Sequence, residues 1–357
     1  MKELDELLAA YDAARRGGDR CLMSTLVKVE GSSYRRVGAR MLLTDKGERT
    51  GGMSGGCLEG EIQKKAWWLT EQGPVVERYQ TSGEDGVPYG LGCNGTLYVL
   101  LKRVTLEDAE RLERMRELRS SRAYAAMATV LSGEESGMQR LFPGDAGGSV
   151  LASALVSEAL QRVAEREALE YLTLGDVEVL VEALPPRQRI VVFGAGDDVK
   201  PLVHIARVMG WDVTIADGRS HLATAARFPN ATNVVTAPVE ELAGLCGLRA
   251  DDAVVLMTHS FEQDQRLLNA LLVTPLRYLG QLGPRQRTQQ LLADVATDRE
   301  RLAGAARLHS PIGLDIGGHT AETIALAIIA EIQSVLSRGD AGPVVKKRES
   351  GVMEVPA

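Results

Sequence analysis

Two hydrophobic periods alternate along the second half of the chain. Short apolar runs, typical of strands buried on both faces, are separated by stretches in which apolar residues recur every three or four positions, as in amphipathic helices. This alternation predicts a parallel sheet with right-handed crossovers, and so a Rossmann-like fold. The predicted strands are 190–193, 213–215, 233–236, 253–257 and 278–282, and the predicted helices are 239–245, 262–272 and 321–336.

The first half is less regular and predicts a separate α/β domain. An amphipathic helix precedes Gly17 and Gly18, and a hairpin turn is expected at residues 45–47. Two prolines, Pro185 and Pro186, predict a stiff linker. The domains are therefore expected at 1–184 and 185–338, followed by a mobile polar tail at 339–357. The predicted strands of the first domain are 21–30, 41–43, 75–79, 96–101, 125–133 and 177–184, and its later predicted helices are 106–118 and 154–172.

The first strand of the second domain leads into a glycine turn. Gly194 and Gly196 let the backbone turn sharply before a helix. Asp217 closes the next strand about 20 residues later, the spacing at which a Rossmann carboxylate meets a ribose hydroxyl. Arg219 leaves room for a 2′-phosphate. The segment predicts a nucleotide-type βαβ unit.

This turn departs from the dinucleotide pattern in two ways. Val199 occupies the third glycine position, and Asp197 and Asp198 place two negative charges where a dinucleotide carries its phosphates. Those charges would repel a second anion, or they stabilise the first turn of the following helix. The pattern therefore predicts the fold without requiring NAD binding.

A second glycine-rich stretch, at residues 51–60, surrounds a cysteine. Gly55 and Gly56 precede Cys57, and a helix is expected to follow, which places the thiol where free amides and the helix dipole favour a thiolate. Glu59 lies close in sequence and would raise the pKa of that thiol. Cys93 lies in a similar loop. Either cysteine could instead be an inert core residue, but the glycines suit a backbone that a ligand or another chain approaches closely.

Basic side chains near the first loop are candidates for binding phosphate. Arg35, Arg36 and Arg40 flank the preceding turn, where they could hold a phosphate by bidentate hydrogen bonds or form a solvated edge.

Two loops follow predicted strands in the second domain, at the sheet edge where α/β proteins bind ligands. His259 and Asp264 could form a proton-transfer or orienting pair, although a capping or buried structural role for His259 is the alternative. Gly283 and Arg285 could bind an anion at a helix start.

Composition limits the classes of partner. The formal net charge of −7 and an aromatic content of 4% argue against a nucleic-acid surface. The four cysteines show no C-x-x-C spacing, which argues against a zinc site or a disulfide framework. No apolar signal core or membrane-length run is present in the sequence, so a cytoplasmic protein is expected. Hydrolase and NTPase motifs are missing from the sequence.

Several motifs together resemble the XdhC/CoxI family. GSSYRRVGARML, GGMSGGCLEG and LGCNGTLYVLL resemble the family's N-terminal domain, and five later segments resemble its C-terminal Rossmann domain, in the expected order. Tyr34 stands where many members have proline, and Ser260 stands where they have an acidic residue. The five later segments are FGAGDDVKPL, GWDVTIADGR, VVLMTHSFEQD, YLGQLGPRQR and SPIGLDIGGHTAETIALAIIAEI.

The resemblance implies a maturation factor for xanthine dehydrogenase and similar molybdenum hydroxylases. Such a factor binds the molybdenum cofactor, protects it while a cysteine desulfurase supplies its sulfur ligand, and delivers it to the apoenzyme. It is expected to be an accessory homodimer rather than an enzyme, with no nucleic-acid or membrane partner. Cys57 is then the candidate contact to the metal. The cofactor-binding candidates are Arg35, Arg40, Gly55, Gly56, Cys57, Glu59, Cys93, Gly194, Gly196, Asp198, Asp217, Arg219, His259, Gly283 and Arg285.

The alternative is an NAD(P)-dependent Rossmann oxidoreductase with Asp217 bound to the ribose. A third alternative is a protein-binding regulator in which the Rossmann half serves only as a scaffold.

Overall fold

A computed structural model describes residues 2–80, 95–145, 149–293 and 299–342. The chain divides into two compact units between Arg187 and Gln188, in the segment where the two prolines predicted a linker. The expected mobile tail lies, from residue 343 onward, outside the described residues. Each unit is described by itself below.

The first unit is built from helices and mostly antiparallel strands. Its helices are α1 (Lys2–Arg16), α2 (Cys57–Leu69), α3 (Leu106–Ser120) and α4 (Ala154–Arg166). Its strands are β1 (Cys21–Gly31), β2 (Arg40–Thr44), β3 (Arg49–Gly51), β4 (Val75–Gln80), β5 (Gly95–Arg103), β6 (Ala125–Val130), β7 (Gln139–Phe142), β8 (Leu169–Leu174) and β9 (Val177–Leu184). The predicted hairpin turn joins β2 to β3, which pair antiparallel.

Two sheets form the core of the first unit. One has the strand order β3-β2-β1-β5-β4 and the other β7-β6-β9-β8. Helix α2 packs its apolar side on the first sheet, where Leu58, Ile62 and Ala66 join the buried side chains of β1, β2 and β5. Helix α4 covers the second sheet in the same way. Each sheet therefore buries one face beneath a helix, and Val27 and Leu100 of the first sheet pack with Leu180 of the second in a further buried cluster.

The predicted helix at 154–172 is wrong at its end. Helix α4 stops at Arg166 because Glu167 takes a left-handed conformation (φ 51°). The following residues, Leu169–Leu174, form β8 and alternate between exposed and half-buried positions, as a strand at the edge of a sheet does. A charged stretch of good helix formers concealed this change of period.

The second unit is a doubly wound parallel sheet, as the sequence predicted. Its strands are β10 (Arg189–Phe193), β11 (Asp212–Ala216), β12 (Asn233–Val235), β13 (Ala253–Leu256), β14 (Tyr278–Gln281) and β15 (Leu308–His309). Its helices are α5 (Val199–Val208), α6 (Val239–Leu245), α7 (Phe261–Leu271), α8 (Arg285–Leu291), α9 (Arg299–Ala305) and α10 (Ala321–Leu336). Helix α8 begins at Arg285, where the sequence predicted a helix start, whereas the short elements α9 and β15 were not predicted.

The strand order of this sheet creates a switch point. The order is β12-β11-β10-β13-β14-β15, with every pair parallel. Alternate residues of β10 enter opposite cores: Ile190 and Val192 pack with α5 and α10, whereas Val191 and Phe193 pack with α6 and α7. The chain leaves β10 and β13 in opposite directions across the sheet. The loops that follow these two strands therefore flank the crevice where open α/β sheets bind ligands.

Candidate functional site

The glycine turn after β10 is held by a buried carboxylate. Gly194 has φ 128°, and a Cβ there would lie 2.2 Å from the carbonyl oxygen of Met257, so only glycine fits. Asp217, just beyond β11, accepts a hydrogen bond from the backbone N–H of Ala195 at 2.8 Å. It also accepts from the backbone N–H of Arg219 at 2.8 Å and from its guanidinium at 2.6 and 2.9 Å. The carboxylate that the sequence assigned to a ribose hydroxyl instead holds the turn.

The electrostatics of Asp217 follow from these contacts. Its side chain is almost completely buried, and burial by itself would raise the pKa of the carboxyl. The Arg219 guanidinium and the two backbone N–H groups outweigh this effect and hold the pKa of Asp217 below its ordinary value. Asp217 is therefore an ionised structural anchor beneath the turn.

Asp198 covers the upper side of the same turn. A Cβ on Gly196 would lie 2.3 Å from Oδ1 of Asp198, so this carboxylate lies against Gly196 and leaves no room for a side chain there. The other oxygen, Oδ2, lies 2.7 Å from Nε2 of His259. Asp198 makes no side-chain capping bond to helix α5. The carboxylate joins the two loops of the switch point rather than stabilising the helix start.

The predicted partner of His259 is wrong. His259 pairs with Asp198, whereas Asp264 is buried and accepts hydrogen bonds from Thr258 Oγ1 at 2.6 Å and Gln281 Nε2 at 3.0 Å. His259 has φ 62°, a left-handed conformation that non-glycine residues seldom adopt, and its side chain is exposed. The helical register of α7 turns Asp264 inward, away from His259. The structure thus holds His259 at the crevice in a strained turn.

An arginine that the sequence analysis missed completes this buried network. Arg287 lies 3.0 Å from Asp264 through Nη2, and its guanidinium stacks on Phe261. The predicted anion ligand Arg285 is exposed, while Gly283 leaves room for the Arg287 side chain. Among the described residues, the buried atoms Gln281 Oε1 and Arg287 Nη1 have no hydrogen-bond partner. Only the tertiary fold distinguishes Arg287 from its neighbour Arg285.

A groove of about 620 Å³ lies beside the glycine turn. Asp197 stands at its edge, 2.7 Å from both Lys200 Nζ and Arg227 Nη2. Arg227 also donates to the carbonyl oxygen of Ala195 at 3.2 Å, which ties the groove wall to the turn. The pKa of Asp197 lies below its ordinary value because Lys200 and Arg227 bond to it. The sequence analysis singled out neither cation: Lys200 lies within FGAGDDVKPL without a role assigned to it, and Arg227 lies outside the quoted segments.

In the first unit, a buried glutamate organises the loop before α2. Glu59 accepts hydrogen bonds from the backbone N–H groups of Met53 at 2.7 Å, Ser54 at 2.6 Å and Gly56 at 3.0 Å, and from the Ser54 hydroxyl. Burial would raise the pKa of this carboxyl, but these donors lower it overall. Glu59, predicted as a cofactor ligand, thus directs its oxygens at its own loop.

The upper side of this loop is open. Gly56 has φ 124°, which requires glycine. Among the described residues, a Cβ on Gly55 or Gly56 would meet no atom within 4 Å. Crowding by the described part of the chain therefore does not explain the glycine at position 55. Cys57 is the first residue of α2; its side chain lies outside the described part of the structure, as does Cys93 entirely.

The remaining basic candidates are engaged with carboxylates. Arg35 bonds to Glu3, and Arg40 is largely buried against Glu182 and the Gly38 carbonyl oxygen. Burial of Arg40 was not foreseen, because its partner is more than 100 residues away in sequence. Arg36 is exposed. Arg40 therefore has a structural partner where the sequence suggested a phosphate.

Metal clusters and membrane-spanning helices are both missing from the part of the chain that the structure describes. Within residues 2–80, 95–145, 149–293 and 299–342, no group of three His, Cys, Asp or Glu side chains is arranged as metal ligands. In the same ranges, no helix combines the length and apolar character needed to cross a membrane.

The cysteines that can be described in full are buried. Burial raises the pKa of the Cys21 thiol, and it raises that of Cys246 to about 11. Both have the properties of inert core residues.

Comparisons with known proteins agree with this architecture. Residues 190–332 match the XdhC Rossmann domain, and residues 14–80 match the XdhC and CoxI family. The chain is 31% identical to a Bacillus subtilis protein named as a probable xanthine dehydrogenase subunit, over 90% of this chain and 94% of that protein. It is 24% identical to the molybdenum cofactor insertion chaperone PaoD of Escherichia coli, over 90% of this chain and 85% of PaoD.

A solved structure shows the same fold. A Bacillus halodurans protein, described as a xanthine dehydrogenase, superposes with a TM-score of 0.77 at 29% identity, covering 95% of this chain and 98% of that one.

Proposed function

Because the chain belongs to the XdhC and CoxI family, we propose that it is a maturation factor that binds the molybdenum cofactor and delivers it to an enzyme of the xanthine dehydrogenase type. The observation that carries this proposal is the similarity to PaoD, named as a molybdenum cofactor insertion chaperone, across 90% of the chain. The likeness extends through both units, so both contribute to the proposed role.

The crevice of the second unit suits a phosphorylated pterin better than a dinucleotide. A groove of about 620 Å³ is within the usual range for small-molecule sites, and Lys200 and Arg227 supply positive charge beside the glycine turn. The turn itself is covered by Asp198. We therefore place the phosphate of the cofactor against Lys200 and Arg227, where it would displace Asp197 from both cations. Exposed His259 stands outside this groove, at the neighbouring switch point, as a further hydrogen-bonding group.

The first unit offers a different kind of contact. The loop at Gly55 and Gly56 has open space above a backbone that Glu59 holds from below. Such a surface allows a planar ligand to approach the main chain closely. Cys57 follows at the start of α2, where a thiolate is favoured, and we assign it the contact to the metal or to its sulfur ligand. When bound, the cofactor supplies the metal centre that the client enzyme uses; the chain supplies binding and shielding.

The alternative of an NAD(P)-dependent oxidoreductase is less well supported by the geometry. Asp217 uses its oxygens on Ala195 and Arg219, and Asp198 places a negative charge against Gly196, beside the turn that would bind the phosphates. A dinucleotide would have to displace Asp198 from His259 before it could lie on the turn.

Cofactor retention is the direct test. The purified protein is mixed with freshly released molybdenum cofactor and desalted, and retained molybdenum and oxidised pterin are quantified, while NADH and NADPH are titrated in parallel. We expect stoichiometric retention without nicotinamide binding. Arg227→Ala and Cys57→Ala should each reduce retention at unchanged melting temperature, whereas Arg207→Ala, on the exposed side of α5, should retain the cofactor fully. Tight nicotinamide binding without pterin retention would refute the proposal.

The proposal extends to sulfuration and delivery. The cofactor-loaded protein should associate with a cysteine desulfurase and transfer the cofactor to a molybdenum apoenzyme, and we expect it to act as a homodimer. Reconstitution of apoenzyme activity tests delivery, and sedimentation measures the oligomeric state. Activation by free cofactor that equals activation by the loaded protein would rule out a delivery role.

A further inference from the structure

A separate cavity of about 240 Å³ lies in the second unit near the amino end of β14. It is bounded by the end of α7, by β14 and β15, and by α9. The ligand crevice lies instead at the carboxyl ends of the strands, so the two sites are at opposite edges of the sheet. A volume of 240 Å³ is several times the roughly 30 Å³ that a water molecule occupies in the liquid. The cavity therefore has room for a small ligand.

A half-buried carboxylate fixes the histidine of this cavity. Glu331 of α10 lies 3.1 Å from Nδ1 of His309 and accepts hydrogen bonds from the Tyr278 hydroxyl at 2.5 Å and the Gly313 N–H at 2.9 Å. The His309 ring stacks on Tyr278 with ring centres 4.5 Å apart. Burial would raise the pKa of Glu331, but the bonds from His309, Tyr278 and Gly313 lower it overall. Glu331 is thus ionised and holds the imidazole in one orientation, while Nε2 has no partner among the described residues.

Two arginines line the same cavity. Arg277 donates from Nη2 to the carbonyl oxygen of Leu336 at 2.7 Å, which fixes its guanidinium at the end of α10. Arg307 is exposed, and its guanidinium has no partner within the described ranges. Among the described residues that line the cavity, none is acidic. Arg277, Arg307 and His309 thus line one concavity of a chain whose net charge is −7.

We propose that this cavity is a second ligand site, which binds the phosphate group of a small molecule through Arg277, Arg307 and His309. Guanidinium groups match the paired oxygens of phosphate, and their charge is retained at every physiological pH. The imidazole of His309, oriented by Glu331, supplies a third, directional contact. The site is distinct from the groove at Lys200 and Arg227, and it does not rest on the proposed cofactor function.

Calorimetric titration of the full-length protein with inorganic phosphate tests this site. Sodium chloride at matched ionic strength serves as the blank. We expect saturable binding that Arg307→Ala weakens about tenfold, the effect of losing one charged hydrogen-bonding partner. His309→Gln should also weaken binding, and it provides a second variant at an independent position. Arg207→Ala, which removes an equal charge from an exposed helix face, should bind like the wild type.

A further variant separates this site from the groove. Arg227→Ala should leave phosphate binding at the second site unchanged even if it abolishes cofactor retention. The inference is overturned if no saturable binding occurs, if Arg307→Ala and His309→Gln both bind like the wild type while folded by circular dichroism, or if Arg227→Ala alone abolishes phosphate binding. Failure of the cofactor proposal would leave these outcomes unaffected.

Discussion

The two glycine-rich turns of this protein are built on the same device and differ in what lies above them. In each, a buried carboxylate accepts backbone N–H groups from below: Glu59 beneath residues 53–56, and Asp217 beneath Ala195. Above the first turn, Gly55 and Gly56 face open space. Above the second, Asp198 covers Gly196 and pairs with His259.

Glycine is present for a different reason in each of the two turns. At Gly194 the fold itself requires glycine, because Met257 lies against the turn. At Gly55 no atom of the described residues and no left-handed backbone requires it. A glycine that the fold does not need indicates a surface where something else must come close. We therefore expect the first turn to contact a ligand through its main chain.

Replacing Asp217, the carboxylate of the second unit, should destabilise the protein more than replacing Glu59 in the first unit. In Asp217→Asn, the new amide group would face the N–H of Ala195 or the donors of Arg219, and neither offers an acceptor. We expect a loss of about 3 kcal/mol in the free energy of unfolding, measured by urea denaturation with hydrogen exchange in β10 and β11. Glu241→Gln, an exposed change of the same charge, is the control.

The same variant predicts a pH dependence. Because the pKa of Asp217 is lowered by folding, its stabilisation is fully present above the unfolded pKa, about 3.9, and is lost as the pH falls through the folded value. The difference in stability between wild type and Asp217→Asn should therefore shrink below about pH 4. A difference that stays constant down to complete protonation would contradict the role of the ionised carboxylate.

In the first turn, the equivalent change Glu59→Gln should lower the free energy of unfolding less than Asp217→Asn does. In Glu59→Gln, the amide oxygen can still accept from Met53 and Ser54, while the amide group faces the Ser54 hydroxyl, which can accept. The Gly56 N–H loses the carboxylate oxygen at 3.0 Å and keeps the Ser54 hydroxyl oxygen at 3.3 Å. We expect a loss of about 2 kcal/mol in the free energy of unfolding. Glu61→Gln on the same helix, where the carboxylate pairs only with exposed Lys65, should be nearly neutral. Equal losses at positions 59 and 61 would remove Glu59 from its assigned role.

The smallest changes in stability are expected for alanine substitutions at the two glycines of the first turn, and they should differ between Gly55 and Gly56. Gly56→Ala forces an alanine into φ 124° and should cost about 1 kcal/mol or slightly more. Gly55→Ala meets no atom and should change stability by less than about 0.5 kcal/mol. If the turn contacts the cofactor, Gly55→Ala should nevertheless reduce cofactor retention in the desalting assay. Full retention in Gly55→Ala would show that the open surface is not used.

Periodicity predicted most of the second unit because strands buried on both faces leave continuous apolar runs. The strands at β10, β11 and β13 and the helices α6 and α10 lie where the pattern placed them. The short elements β3, β7 and β15 were missed, since two to four residues cannot establish a period. The α4 to β8 transition was missed because its residues suit a helix equally well.

The sequence by itself determined the family, the Rossmann architecture and the glycine-rich loops. Backbone requirements and hydrophobic periods depend on residues that are close together along the chain, so they can be recognised without the structure. The tertiary structure alone decided which charged groups meet. In the folded chain His259 pairs with Asp198 instead of Asp264, and Arg40 is buried against Glu182. Asp264 is contacted by Arg287, whereas Arg285 is exposed. These pairs join residues that are distant along the chain, and the direction of a side chain depends on the register of its helix or strand.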